Sequence, residues 1–481
     1  MTFMSTSWLR RAVLACALLL AGAVCAKDFD ATQFGAQGDG KTLNTAAIQK
    51  AIDAAAAEGG TVTFKPGTYL SGSIFVKTGV TLKIDKGVTI LGSQRLQDYP
   101  VMPTRIAGIE MRWPAALVNV YEQNKAAITG EGTIDGDGKV FWDSYWSLRK
   151  TYEPRGLRWA SDYDAQRPRL IQVFNSKDVK IGGGLLLRRS GFWTLHICYS
   201  TDITVDGVVI RNNEGALGPS TDGIDIDSSK RVLVQHADID VNDDALCLKA
   251  GRDSDGQRVA RSTEDVIIRD SIVRTAAAGV TFGSETSGGF RNIEAYNITT
   301  LKGVPVGILF KSAHTRGGFG ENLRLHDFKM IDTPVVLRIN MNWNPSYSYA
   351  KIPDEIKDYP PYWKTLSTPV PREKGIAHFH DVRIWNIHAR GATTAFEVDG
   401  YSEAPLSRFT LEGLDIEAQN GGHIYDAKDW TFTDAQLKLG TPVSLEDNQG
   451  VRGLPAAAAQ PGQRKQKQDP SKKTFEEQDK S

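Results

Sequence analysis

The chain has 481 residues, and its 57 basic and 57 acidic side chains leave no formal net charge. That balance gives no electrostatic footprint for nucleic acid. A length near 480 would ordinarily mean two or three domains, but repeat folds grow along one axis and escape that prior.

At the N-terminus Arg10 and Arg11 precede an apolar run from Ala12 to Ala23, followed by Val24-Cys25-Ala26. This is the layout of a signal peptide, and about 12 apolar residues are too few to span a bilayer. The expectation is a leader over 1–26 and an exported protein, secreted or periplasmic, with no membrane span. Removing the leader takes away two arginines and two cysteines. That leaves 55 basic (57 − 2) against 57 acidic residues. The remaining cysteines, Cys198 and Cys247, are two repeats apart, too far for a disulfide in aligned columns, and are expected to be unpaired. The histidines show no metal-ligand spacing, and His378-x-His380 reads as strand decoration.

Asn44 to Glu58 is the one convincing helix, with Asn44 or Thr45 as cap and Gly59-Gly60 as terminator. A lone amphipathic helix ahead of a solenoid is the expected lid for an otherwise open core. The glycine run Gly35 to Gly40 lacks the strand–loop–helix context of a dinucleotide loop and is discounted.

From Gly60 a phrase recurs: aliphatic-x-aliphatic, then a turn with Asp, Asn or Gly. It appears at Leu82-Lys83-Ile84, Val179-Lys180-Ile181, Ile203-Thr204-Val205, Val232-Leu233-Val234 and Val266-Ile267-Ile268. It returns at Leu323, Val382 and Phe409. Alternating faces with aliphatics on one side only, at a repeat of this length, predict an all-β parallel β-helix with a short N-terminal capping helix. Two aromatic- and arginine-rich insertions interrupt it, Asp143 to Arg169 and Asn340 to Gly375. The helix is expected to fill 27–455 as one domain, with a disordered, non-periodic tail over 456–481.

The chemistry gathers between Ser220 and Gly251. Offset by 22 residues, this stretch superposes on itself: Asp222 on Asp244, Ile224 on Leu246, Asp227 on Lys249. Stacked turns sit about 4.8 Å apart, so Asp222 and Asp244 lie one above the other with Asp243 beside them, on a solvent-facing wall. The register continues through Gly279–Gly283 and Gly307–Lys311. One outer column reads Asp227, Lys249, Gly283, Lys311; a second reads Asp222, Asp244, Ala278, Val306. Single aspartates are ordinary turn residues. Three stacked together are costly unless function requires them, because like charges oppose ionisation. Acids serve acid–base chemistry, and Lys249 and Lys311 can hold an anionic substrate against them. Asp225 and Asp227 are equally well explained by solvation or a salt bridge to Lys249.

Ser-Thr-Asp-Gly at Ser220–Gly223 and Asn-Asp-Asp-Ala at Asn242–Ala245 resemble two motifs of the polygalacturonase family, glycoside hydrolase family 28. So do Gly130-Glu131-Gly132-Thr133-Ile134-Asp135-Gly136, Phe192-Trp193-Thr194-Leu195-His196 and Gly283-Ser284-Glu285. The resemblance implies a right-handed parallel β-helix that hydrolyses pectin with inversion. No cofactor or metal is expected, and the expected state is a monomer whose partner is a pectic polysaccharide or oligosaccharide. It makes Asp243 the general acid, with Asp222 and Asp244 holding and deprotonating the water. An inverting pair ordinarily stands about 6.5–9.5 Å apart. Three positions depart from the family pattern. Ser220 replaces an asparagine, Ala277-Ala278-Gly279 replaces Gly-His-Gly, and Leu309-Phe310-Lys311 replaces Arg-Ile-Lys. Arg316 or His314 is the nearby candidate to compensate. Two other readings stay open: a lyase holding calcium on Asp222, Asp225, Asp227 and Asp244, or a non-catalytic carbohydrate-binding solenoid.

Overall fold

The structure, a computed structural model, describes residues 27–462. The expected leader and residues 463–481 lie outside them. A 32-stranded sheet winds on itself, and one antiparallel hairpin, Val101–Ile106 with Ile109–Pro114, stands apart. Each turn lays its strands in parallel on the turn before. Ile171–Phe174 pairs with Leu195–Cys198, which pairs with Ile224–Asp227, which pairs with Leu246–Lys249. The fold is a parallel β-helix.

The repeated phrase produces this directly. Val179, Ile203, Val232 and Val266 are registered partners, as are Ile181, Val205, Val234 and Ile268. All are buried in one continuous core. Truncating one of them, as in Ile181→Ala, costs about 2–5 kcal/mol. Just before each aliphatic pair one residue takes the left-handed conformation: Asp178, Asp202, Arg231, Asp265, Asn292, Asn322. Asn and Asp tolerate that region best, which is why they mark the turns. The first turn differs from the sequence reading by two residues. Leu82 pairs with Ile128, hence with the second aliphatic of the phrase, so Val80 rather than Leu82 opens it.

The capping helix runs Thr45–Glu58 and buries Ile48, Ala51, Ile52 and Ala55. Neither expected residue caps it through its side chain as anticipated. Asn44 bonds the backbone of Gln37 and Thr42, and Thr45 accepts from the Gly72 amide. It is also not the single long helix: Lys139–Tyr152 has the same length. Its buried face is only Phe141, Trp142 and Tyr145, too short an apolar stripe to stand out among aromatic neighbours. The solenoid continues past 455, because Ala459–Pro461 adds a parallel strand to Val443–Glu446. That pairing is backbone-driven and needs no apolar periodicity. No helix among the described residues is long and apolar enough to cross a membrane.

Candidate active site

The register predicted between Ser220 and Gly251 is the one observed. Ile224 pairs with Leu246 and Asp227 with Lys249, which stacks Asp222 beside Asp244. Each of Asp222, Asp243 and Asp244 offers an oxygen within 4.8 Å of the others. The wall is not solvent-facing. Asp222 and Asp244 are 3 % and 1 % exposed, and Asp243 alone is half-buried.

A roof accounts for this burial. The hairpin brings Trp113, the first insertion brings Trp159 and Tyr163, and the second brings Trp363 and Leu366. All pack into one cluster with Phe192 and Trp193 of the solenoid. Asp164 latches the two insertions together. It accepts from Tyr152 Oη at 2.9 Å, Tyr362 Oη at 2.6 Å and Trp363 Nε1 at 3.0 Å. Trp343 and Tyr347 instead line the pocket that holds the three acids. The insertion aromatics therefore divide into those that pin the roof and those that face the acids.

Burial sets the electrostatics. Desolvation raises Asp222 well above the usual carboxylate range, and Asp225 and Asp243 push it further. Asp243 is raised by burial and then by Asp244, with Lys311 and Lys249 opposing. The lysines are shared out among the acids. Lys311 Nζ lies 2.7 Å from Asp244 Oδ2. Lys249 Nζ lies 3.4 Å from Asp222, 3.5 Å from Asp225 and 3.3 Å from Glu285. Both ammoniums face aromatic rings, Trp343 and Trp193, at 4.4 and 4.9 Å. For both lysines burial alone would favour the neutral form. The acids outweigh it at Lys311, and Cys247 with Glu285, Asp222 and Asp225 outweigh it at Lys249. Glu285 holds at about 2 because Lys249, Arg316 and Lys311 overcome its desolvation. Asp243 makes no ion pair among the described residues, and its Oδ1 accepts the Asp244 amide at 2.9 Å.

The other expected residues sit elsewhere. Arg316 is fully buried, bound to Asp253 and to the Ser284 carbonyl, and does not line the pocket. His314 is exposed, with its ring against Tyr349 and Tyr401. Neither replaces the missing arginine. The positions that depart from the family pattern, Ala278 and Leu309, pack with Val306 and Val335 in a small apolar cluster. Asp227 does not pair with Lys249. Arg105 from the hairpin holds it at 3.0 Å, with His196 at 3.4 Å. Burial and the neighbouring Arg169 take His196 down to about 4, against the pull of Asp227. The four carboxylates of the calcium reading thus each face a protein cation, a donor set that does not suit a calcium ion. Cys198 and Cys247 are free and buried.

Sequence reasoning missed Arg158 and Asp162 of the first insertion, which line the pocket, and gave Glu285 no role. No periodicity marks the insertion residues. Glu285 was visible only as part of a motif.

The family model described as "Glycosyl hydrolases family 28" matches residues 63–355, more than half of the chain. A "Probable polygalacturonase" of Vitis vinifera is 30 % identical over 308 residues, covering 62 % of this chain and 59 % of its own length. The chain thus spans under two thirds of that relative. An "Exo-poly-alpha-D-galacturonosidase" of Dickeya chrysanthemi is 27 % identical over 452 residues, covering 85 % of this chain and 70 % of its own. Among solved structures, the exopolygalacturonase of Thermotoga maritima superposes with TM-score 0.68 at 23 % identity, covering 89 % of this chain and 92 % of that one. The family 28 exopolygalacturonase of Yersinia enterocolitica gives 0.72 at 22 %, covering 90 % and 79 %. The matched span encloses the paired acid strands and both lysines, and the chain belongs to glycosyl hydrolase family 28.

Proposed function

We propose that the protein hydrolyses α-glycosidic bonds of pectic polysaccharide with Asp243 as general acid. The observation that carries this is the unequal distribution of cations among the three acids. Asp244 and Asp222 each hold an ammonium, whereas Asp243 has none and is the most accessible of the three. A protonated Asp243 gives its proton to the leaving glycosidic oxygen as the bond to the anomeric carbon breaks. Asp222 and Asp244 orient the water and take its proton as its oxygen bonds to that carbon. Asp244 Oδ1 is buried without a hydrogen-bond partner and supplies an acceptor for it.

Attack from the face opposite the departing oxygen inverts the anomeric centre. One observation favours a retaining route: the three acids each bring an oxygen within 4.8 Å of the others, closer than the usual inverting gap. Inversion is the reading adopted, because both candidate nucleophiles are tied to lysines and suited to gripping a water. The anomer first released, read by NMR, separates the two.

Residues of the hairpin and both insertions line the pocket, and a cleft covered in this way suits attack at chain ends. The exo-acting relative of Dickeya chrysanthemi supports the same reading. The apolar cluster around Leu309 supplies no carboxylate partner, which favours an uncharged neighbour such as rhamnose in the alternating pectic backbone. Initial rates on rhamnogalacturonan, short oligogalacturonides and long homogalacturonan test this. The first two should be cut with higher kcat/KM, and random internal cleavage of long homogalacturonan would refute the preference. The N-terminal pattern supports export to the periplasm or medium.

A further inference from the structure

Lys311 and Lys249 are held in different ways. Lys311 has one ion-pair partner among the described residues, Asp244. Lys249 has three, and none is as close: Glu285 Oε2 at 3.3 Å, Asp222 Oδ2 at 3.4 Å and Asp225 Oδ1 at 3.5 Å. We propose that Glu285 is a positioning residue, anchoring the Lys249 ammonium beside Asp222 throughout turnover.

The three partners of Lys249 are not equivalent. Asp222 is a candidate to take the proton of the attacking water, and in doing so it gives up its charge. Asp225 is no substitute, since both of its oxygens are buried without hydrogen bonds and burial raises its pKa. Glu285 keeps its charge. Against the desolvation of full burial, Lys249, Arg316, Lys311 and Arg252 hold its carboxyl at about 2. A buried ammonium left without an ionised partner is costly, and Glu285 supplies that partner while the charge on Asp222 comes and goes.

The carboxylate is also fixed in place by several elements. Tyr347 Oη of the second insertion and Ser284 Oγ each donate to Glu285 Oε1 at 3.3 Å, and the Glu285 carbonyl accepts the Ala250 amide at 2.7 Å. The tip of the hairpin lies against its stem, where a Cβ on Gly108 would come within 2.7 Å of Glu285 Cγ. The remaining titratable group beside Lys249 is Cys247, whose thiol burial pushes well up, so it adds no charge. Asp222 in turn faces Asp225, Asp243 and Asp244, with Lys249 as the cation opposing them. The anchor of that one cation therefore bears directly on Asp222.

The proposal rests on the hydrolase reading and is tested on the full-length protein with short oligogalacturonides. Glu285→Gln keeps the shape and removes the charge. It should lower kcat at least about tenfold while KM changes less than about threefold. It should also move the acid limb of the pH–rate profile to lower pH. With Glu285 neutral, Lys249 is left to Asp222 and Asp225, which favours ionised Asp222, and the acid limb follows the pKa of the base. Glu285→Asp, which keeps the charge, should recover part of kcat and bring the limb back toward the wild type. In a Lys249→Met background, Glu285→Gln should change kcat by less than about twofold, because a residue that acts through Lys249 has nothing left to hold. A full further loss in that background would overturn the proposal. So would an unmoved limb, an aspartate variant as impaired as the glutamine one, or a change in KM alone, which would make Glu285 a sugar contact. If Lys249→Met does not fold, the limb and the aspartate variant carry the test. A wild type that cleaves no pectic substrate would sink the hydrolase reading and this proposal together; an active wild type with any of the contrary results sinks this proposal alone.

Discussion

Lys311 Nζ stands 2.7 Å from Asp244 Oδ2, closer than Lys249 stands to any of the three carboxylates it serves. The tight pair belongs to one candidate water-activating acid. Lys249 is spread over Asp222, Asp225 and Glu285. Lys311→Met should therefore cut kcat at least about tenfold, and it should also move the alkaline limb of the pH–rate profile. Lys311 holds the Asp243 pKa down, so its removal lets Asp243 keep its proton to higher pH. An unmoved limb in a folded variant would deny Lys311 this electrostatic role.

Asp222→Asn, Asp243→Asn and Asp244→Asn should each reduce turnover by at least about a hundredfold, the lower range for losing a general acid or base. Circular dichroism should show the β-helix retained, since the three acids sit on the turns before Ile224–Asp227 and Leu246–Lys249 and hold none of the core columns together. Near-normal rates in all three folded variants would show that the site is elsewhere.

The register between Asp222 and Asp244, and the column of Lys249 and Lys311, were legible in the sequence. Strand alternation and a 22-residue offset leave few ways to stack these turns. Their burial was not legible. Covering the wall depends on tertiary contacts between two insertions and a hairpin, and Asp164, Trp159 and Trp363 carry no periodic signal of that meeting. Arg158 was hidden for the same reason. Arg316, the candidate the solenoid offered, is buried away from the pocket, whereas Arg158, which lines it, belongs to the roof.

The wild-type profile should lose activity on the alkaline side. Burial and Asp244 raise the Asp243 pKa, so its acid form persists through mildly acidic pH and is lost as pH climbs through the raised value. A rate that rises steadily into alkali would contradict an acid catalyst at this position.

Asp225 offers a stability test with a defined sign. Both of its oxygens are buried without hydrogen bonds. Burial raises its pKa, with Asp244 and Glu285 adding and Lys249 opposing. A carboxyl raised on folding contributes stability below its unfolded pKa of 3.8, and that contribution is lost as pH rises toward the folded value. Asp225→Asn, which cannot ionise, should gain Tm relative to wild type as pH goes from 4 to 7. A constant difference across that range would show that Asp225 stays ionised in the fold.

The latch at Asp164 makes roof and catalysis separable. Asp164→Ala leaves Tyr152, Tyr362 and Trp363 without their shared acceptor, at a cost of about 1–3 kcal/mol for the buried Trp363 N–H left unsatisfied. KM should rise more than kcat falls, because the acids stay on the solenoid while the roof loosens. A pure loss of kcat with KM unchanged would show that the latch acts on the acids themselves.

The most direct test of the central claim is the product of a pectic digest, followed at once by reducing-end release and by ultraviolet absorbance, with and without chelator. The expected result is reducing ends without an unsaturated chromophore, at a rate the chelator leaves unchanged and Asp243→Asn abolishes. Growth of a 4,5-unsaturated product that the chelator stops would contradict acid–base hydrolysis by Asp222, Asp243 and Asp244.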